Sequence, residues 1–236
     1  MVRILIIVMF LLSSQPEGYA QQSIDLQASS IPAADCISID ALSAYIRQNF
    51  SSDTARVHAI YSWVANNISY DVARFQARDK SNGAPLPTAA EALSSGTAVC
   101  QGYSDLFIAL CKGAGIEALR IGGYTKQQGK VSEIAHAWVA ALLDGTWYLF
   151  DPTWGAGSVR NEVFVKRYNN RFFKVAPIKF IEDHMPCDPL FQFLSYPLSH
   201  RNSGTANRLL LQPLLITRTV LNYTPGYHSY YKRLPS

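Results

Sequence analysis

Three residues of the chain could together carry out thiol chemistry: Cys100, His136 and Asp151. A cysteine nucleophile, an imidazole that takes its proton and a carboxylate that orients the imidazole are what attack on an amide carbonyl needs. Cys100 opens the apolar helical pattern Val99-Cys100-Gln101-Gly102-Tyr103-Ser104-Asp105-Leu106, so its thiol is expected at a helix N-terminus. Such a position, with an imidazolium beside it, lowers a thiol pKa from about 8.5 toward ~3.5–7.5. The amides of that helix start, including that of Cys100 itself, could receive the oxyanion of a tetrahedral intermediate. Taken singly, each residue has a plainer reading as a core thiol, a surface histidine or a strand-end cap. The weight lies in the combination.

Two strands must bring the histidine and the aspartate together. Ile134 to Leu143 and Thr146 to Phe150 are apolar runs joined by Asp144-Gly145, a strong signal for a two-residue type I′ hairpin. That turn pairs Leu143 with Thr146, Leu142 with Trp147, Ala140 with Leu149 and Trp138 with Asp151. Side chains two apart share a face, so His136, Trp138, Trp147, Leu149 and Asp151 point the same way. His136 is then diagonal to Asp151, with backbones ~7–8 Å apart, which long side chains can bridge.

Further elements surround this pair. From Ser38 a helix is expected with Leu42, Ile46 and Phe50 inward, and Ser51-Ser52-Asp53 offers caps for a second with Val57, Ile60, Tyr61, Val64 and Ile68. His58 and Trp63, near that stripe, read as core or edge residues. Asp71 to Pro87 reads as a long polar loop, ended by a capping box, Thr88-Ala89-Ala90-Glu91, in a short helix closed by Gly96. A second hairpin is expected through Val163 to Val175, turned by Asn169-Asn170-Arg171.

The chain's 236 residues suit one medium domain with a tail, and 48% hydrophobic content supports a real core. A net charge of +4, spread without blocks, gives no footprint for nucleic acid. Residues 1–20 read as a signal peptide: Arg3, the apolar run Ile4 to Leu12, and a small residue at Ala20 as the cleavage point. That run falls far short of the about 20 apolar residues that span a bilayer, so no stable membrane insertion is expected after cleavage. Residues 21–37 are polar and Ser/Gln-rich and read as a linker or flexible mature N-terminus, 38–200 as the domain, and 201–236 as a C-terminal extension.

Export would place Cys36, Cys100, Cys111 and Cys187 in an oxidising compartment, where an even number suggests pairing. If Cys100 stays free and Cys111 is core, Cys36 with Cys187 is the remaining bridge; four free thiols are the alternative. No metal is expected, because Cys100 and His136 lack the close Cys or His partners of a metal clip.

The blocks Ala98-Val99-Cys100-Gln101-Gly102-Tyr103-Ser104, His136-Ala137-Trp138 and Asp151-Pro152-Thr153-Trp154 occur in the order seen in the transglutaminase-like superfamily, which the chain resembles. The stretch from Tyr61 to Asp71 adds to the likeness. Phe180-Ile181-Glu182-Asp183-His184-Met185-Pro186 resembles the branch that includes the kyphoscoliosis peptidase. The resemblance covers about residues 40–200. It implies an α+β, papain-like core, with N-terminal helices packed on an antiparallel β-sheet and the nucleophile on a helix. It implies Cys100 as nucleophile, His136 as base and Asp151 as orienting acid. An aromatic donor to the oxyanion is known in such enzymes, and Tyr70 is the candidate here. Val139 stands where the family often has Asn after His-Ala-Trp, and no clustered Asp/Glu loop suggests calcium, so no cofactor is expected. The substrate implied is a protein or peptide amide, passed to an amine or to water. The alternative is a secreted, catalytically idle interaction module with the same fold.

Overall fold

The computed structural model describes residues 17–77, 87–127 and 129–198. The segment expected to be a signal peptide, except for its last four residues, and the expected C-terminal extension lie outside the described residues. In chain order come α1 (Glu17–Ser29), a 3-10 turn (Ala33–Asp35), α2 (Ile39–Asn49), α3 (Asp53–Asn67), β1 (Ser69–Tyr70), α4 (Val72–Ala77) and α5 (Ala89–Ser95). Then follow β2 (Thr97–Ala98), α6 (Cys100–Gly113), β3 (Ala118–Gln127), β4 (Lys130–Leu143), β5 (Thr146–Phe150) and α7 (Pro152–Ala156). The hairpin β6 (Gly157–Arg160) and β7 (Val163–Lys166), the short helix α8 (Pro177–Phe180), β8 (His184–Pro186) and a second 3-10 turn (Pro189–Gln192) follow.

The expected caps account for the helix starts. Ser38 and Ser52 accept the amides of Ala41 and Ala55, each at 3.1 Å. Thr88 and Glu91 form the reciprocal capping box of α5, and Gly96 ends it in the left-handed conformation. The central sheet has the order β5-β4-β3-β8 and is antiparallel throughout. Its hairpin turn has positive φ at Asp144 and Gly145, as a type I′ turn requires. The register is the expected one from Leu143↔Thr146 to Val139↔Phe150. Helix α6 packs on one face of the sheet, where Leu106, Phe107, Leu110 and Cys111 join Val139, Ala141, Leu143 and Phe150 in the main core with α2 and α3. Trp138, Ala140 and Leu149 point to the other face, beneath Phe172 and Phe180. Helices packed on an antiparallel sheet make this an α+β fold.

Several expectations fail. The stretch 71–87, read as a loop, carries α4 at Val72–Ala77. Residues 21–37 are not a linker: α1 runs through Ser29 and the 3-10 turn follows, with Ala28 and Ile31 buried in the main core. Ile24, Ala28 and Ile31 fall at helical spacing, a sparse stripe that Gln and Ser obscure. Asp25 fastens the helix, with Oδ1 3.0 Å from the buried His58 Nε2 and 2.6 Å from the Tyr168 hydroxyl. The second hairpin is earlier than expected, turned by Asn161-Glu162, both at positive φ without a glycine. Cys36 and Cys187 are not bridged, and all four cysteines are free thiols. Cys36 closes the 3-10 turn on the helical side, whereas Cys187 is exposed just past β8 at the sheet edge.

Candidate active site

Helix α6 carries Cys100 as its first residue, after an N-cap, Val99, that makes no side-chain cap. The first amide to close on the helix is that of Tyr103, which donates to Val99 O at 3.1 Å. The amides of Cys100, Gln101 and Gly102 therefore precede the helical hydrogen bonding and carry the positive end of the dipole. The helix cannot slide, because Tyr103, Leu106, Phe107, Leu110 and Cys111 are fully buried and the Tyr103 hydroxyl donates to Ile68 O at 2.6 Å. Asp105, one turn on, pairs with Arg120 of β3 and ties the helix to the sheet.

β4 presents His136 and β5 delivers Asp151, though not as the last rung of the ladder. The strand stops at Phe150, and Asp151 becomes the N-cap of α7. Its Oδ1 accepts the amides of Thr153 at 2.9 Å and Trp154 at 3.0 Å. Its Oδ2 lies 2.7 Å from His136 Nε2. The two side chains meet as the spacing predicted, with the carboxylate aimed by a helix cap rather than by the pleat. Cys100 lies near enough to His136 to favour its charged form. Nε2 is engaged with Asp151, which leaves Nδ1 for a thiol.

Charge in this group follows from burial and proximity. Burial raises the Asp151 carboxyl, but the charge and hydrogen bond of His136, with help from His184, outweigh it and hold the group well below the usual carboxylate range. Burial disfavours a charged His136, yet Asp151, and then Cys100, outweigh burial and push the imidazole up. Asp151 is thus an ionised acceptor, and His136 is a willing proton acceptor.

Tyr70 sits on β1, opposite Ala98 of β2, two residues before Cys100. Its ring packs on Phe75 and Phe164 and is half-buried. The strand pair thus holds the Tyr70 backbone beside Ala98, although the two are far apart in the chain.

Sequence reasoning missed His184 as a site residue. β8 holds its side chain fully buried, with Nε2 3.1 Å from the same Asp151 oxygen that His136 uses, and Nδ1 2.6 Å from Asp183 Oδ1. In sequence, the stretch 180–186 carries only a family likeness. A three-residue strand shows no periodicity, and the adjacent Asp183-His184 pair was the one available signal. Among the described residues, His136, Asp151 and His184 are the group that brings metal-ligand atom types within 4.8 Å. Both rings converge on one carboxylate oxygen whose partner oxygen caps α7, an arrangement of hydrogen bonds in which every acceptor site of Asp151 is in use.

The family model of the transglutaminase-like superfamily matches residues 40–152. The human kyphoscoliosis peptidase is 34% identical over 188 residues, which is 76% of this chain and 28% of that protein. Hillarin of Drosophila melanogaster is 27% identical over 120 residues, 43% of this chain and 15% of its own. The chain therefore spans under a third of the relatives it matches. Among solved structures, the periplasmic domain of TgpA from Pseudomonas aeruginosa aligns at 20% identity with a TM-score of 0.38, covering 56% of this chain and 48% of that one.

Proposed function

Since the chain belongs to the transglutaminase-like superfamily, we propose that it is an exported thiol enzyme acting on protein or peptide amides through Cys100, His136 and Asp151. The observation that carries this reading is the 2.7 Å contact of His136 Nε2 with the buried, ionised Asp151, with Cys100 at a helix start near enough to favour the charged form of His136. Export rests on the pattern of residues 1–20. Among the described residues no helix is long and apolar enough to cross a membrane.

The chemistry follows from the placement of each atom. Asp151 Oδ2 accepts the Nε2–H of His136, which leaves the lone pair of Nδ1 for the thiol of Cys100. The thiol proton moves to Nδ1, and the thiolate attacks the amide carbonyl carbon. The C=O electron pair shifts to oxygen, where the free amides at the start of α6 receive it. Tyr70 is the candidate for a further hydroxyl donor to that oxygen. When the carbonyl re-forms, the C–N bond breaks, the leaving amine takes the proton from His136, and a thioester remains on Cys100. Water or a second amine then adds, losing its proton to His136. The C–S bond breaks and the thiolate returns.

An amide-directed, thiol-reactive probe tests the reading, scored by peptide mapping and followed by a panel of peptides and amine donors. The expected outcome is labelling of Cys100, its loss in Cys100→Ala, and turnover on some member of the panel. Labelling as strong in Cys100→Ala as in the parent would overturn it. Labelling of Cys100 with no turnover on any member would favour the idle interaction module.

A further inference from the structure

A single oxygen of Asp151 serves two histidines. His136 Nε2 and His184 Nε2 lie 2.7 and 3.1 Å from Oδ2, while Oδ1 is occupied by two backbone amides. The other nitrogen of His184, Nδ1, faces Asp183 Oδ1 at 2.6 Å. Both nitrogens of His184 thus face carboxylate oxygens, and an ionised carboxylate only accepts hydrogen bonds. The surroundings of the His184 ring suit a cation: the rings of Phe180 and Trp154 are centred 4.0 and 4.6 Å from it. The charged groups around it are Asp151 and Asp183, then His136 with a ring centroid 5.9 Å away, and Arg171, whose Nη2 is 3.7 Å from Asp183 Oδ2.

We propose that His184, charged by Asp183, is a positioning residue that holds Asp151 in place and tempers the basicity of His136. Alone, a buried Asp151 would grip a protonated His136 so firmly that the ring would release its proton reluctantly. A second imidazolium on the same oxygen draws off part of that pull and repels the proton on His136. A group that must both take and return a proton works best when neither direction is steep. This inference rests on the reading of Cys100, His136 and Asp151 as the reacting residues.

The test is the pH dependence of Cys100 alkylation by iodoacetamide, with the Cys100 peptide resolved by mass spectrometry from those of Cys36, Cys111 and Cys187. The parent, His184→Gln and Asp183→Asn are compared. A thiol–imidazole pair gives two steps, one as the thiolate forms beside the imidazolium and one as the imidazolium loses its proton. In His184→Gln the upper step is expected to move to higher pH by about one unit, the size of effect a charge at this range exerts. In Asp183→Asn it should also move up, because His184 loses the partner that holds its second proton. A downward move, or a change in overall rate with both steps unmoved, overturns the proposal and leaves His184 a packing role. A parent profile with one ordinary cysteine step near about 8.5 overturns the underlying reading of Cys100 instead. Should His184→Gln fail to fold, the more exposed Asp183 carries the comparison.

Discussion

Asp151 shows how much a single side chain does here. It ends β5, caps α7 with one oxygen and meets two histidines with the other. Asp151→Asn offers an amide of nearly equal size but puts a donor or a neutral acceptor where His136 needs a carboxylate. Turnover should fall by up to about 10⁴-fold, as when an orienting carboxylate loses its charge, with the fold intact by circular dichroism. Loss of the base itself, in His136→Ala, should lower turnover by about 10²–10⁴-fold. The same pair sets a pH signature. Asp151 is depressed below its reference of 3.8, so its contribution to stability is present above that pH and lost as pH falls through the folded-state value. His136 is raised above 6.5, so its contribution is full below that pH and is lost as pH rises through its folded-state value. The pair therefore stabilises most between those references. Thermal melts across pH should show an acid-side decline that Asp151→Asn flattens; an unchanged decline would assign acid unfolding to other carboxylates.

At the scale of elements, what could be read ahead depended on how strongly local chemistry specifies it. The Asp144-Gly145 turn and the serine caps are short-range signals, and they located β4, β5, α2 and α3 correctly. The last rung failed because Pro152 and the α7 cap draw Asp151 off the strand, a competition that alternation does not express. α1 was hidden by a polar composition, and β8 by its three-residue length. The disulfide failed for a different reason, since an even count of cysteines carries no information about distance. Gly123 exposes what β8 requires. A Cβ there would lie 2.2 Å from Met185 O, 2.5 Å from the Trp138 ring and 2.7 Å from Pro186 Cα, so only a glycine lets β8 dock beside β3. Gly123→Ala should cost about 1–3 kcal/mol, because the crowding falls on backbone that cannot swing away. For a domain this size that is seen as roughly 2–4 °C of Tm per kcal/mol. An unchanged Tm would mean that β8 is free to shift.

For the whole molecule, the layers divide the work. The face of the sheet under α6 is an apolar core that fixes the thiol's helix, and the other face gathers the aromatic and ionisable groups. α1 belongs to the first of these through Asp25, His58 and Tyr168. Asp25→Ala leaves the buried His58 and the Tyr168 hydroxyl without their carboxylate and should cost about 1–3 kcal/mol in urea unfolding. The alkylation profile of Cys100 should not move, because Asp25 meets His58 and Tyr168 and not the three site residues; a moved profile would show that α1 governs the site.

The central claim is that Cys100 takes up an acyl group from an amide with His136 as its base. Its most direct measurement is intact-mass and peptide mapping after rapid acid quench of the full-length protein mixed with a pool of glutamine- and asparagine-containing peptides. The claim predicts a thioester adduct on Cys100 in the parent, none in Cys100→Ala, and a greatly slowed adduct in His136→Ala. An adduct that forms as fast in His136→Ala, or that maps to Cys36 or Cys187 instead, would contradict it.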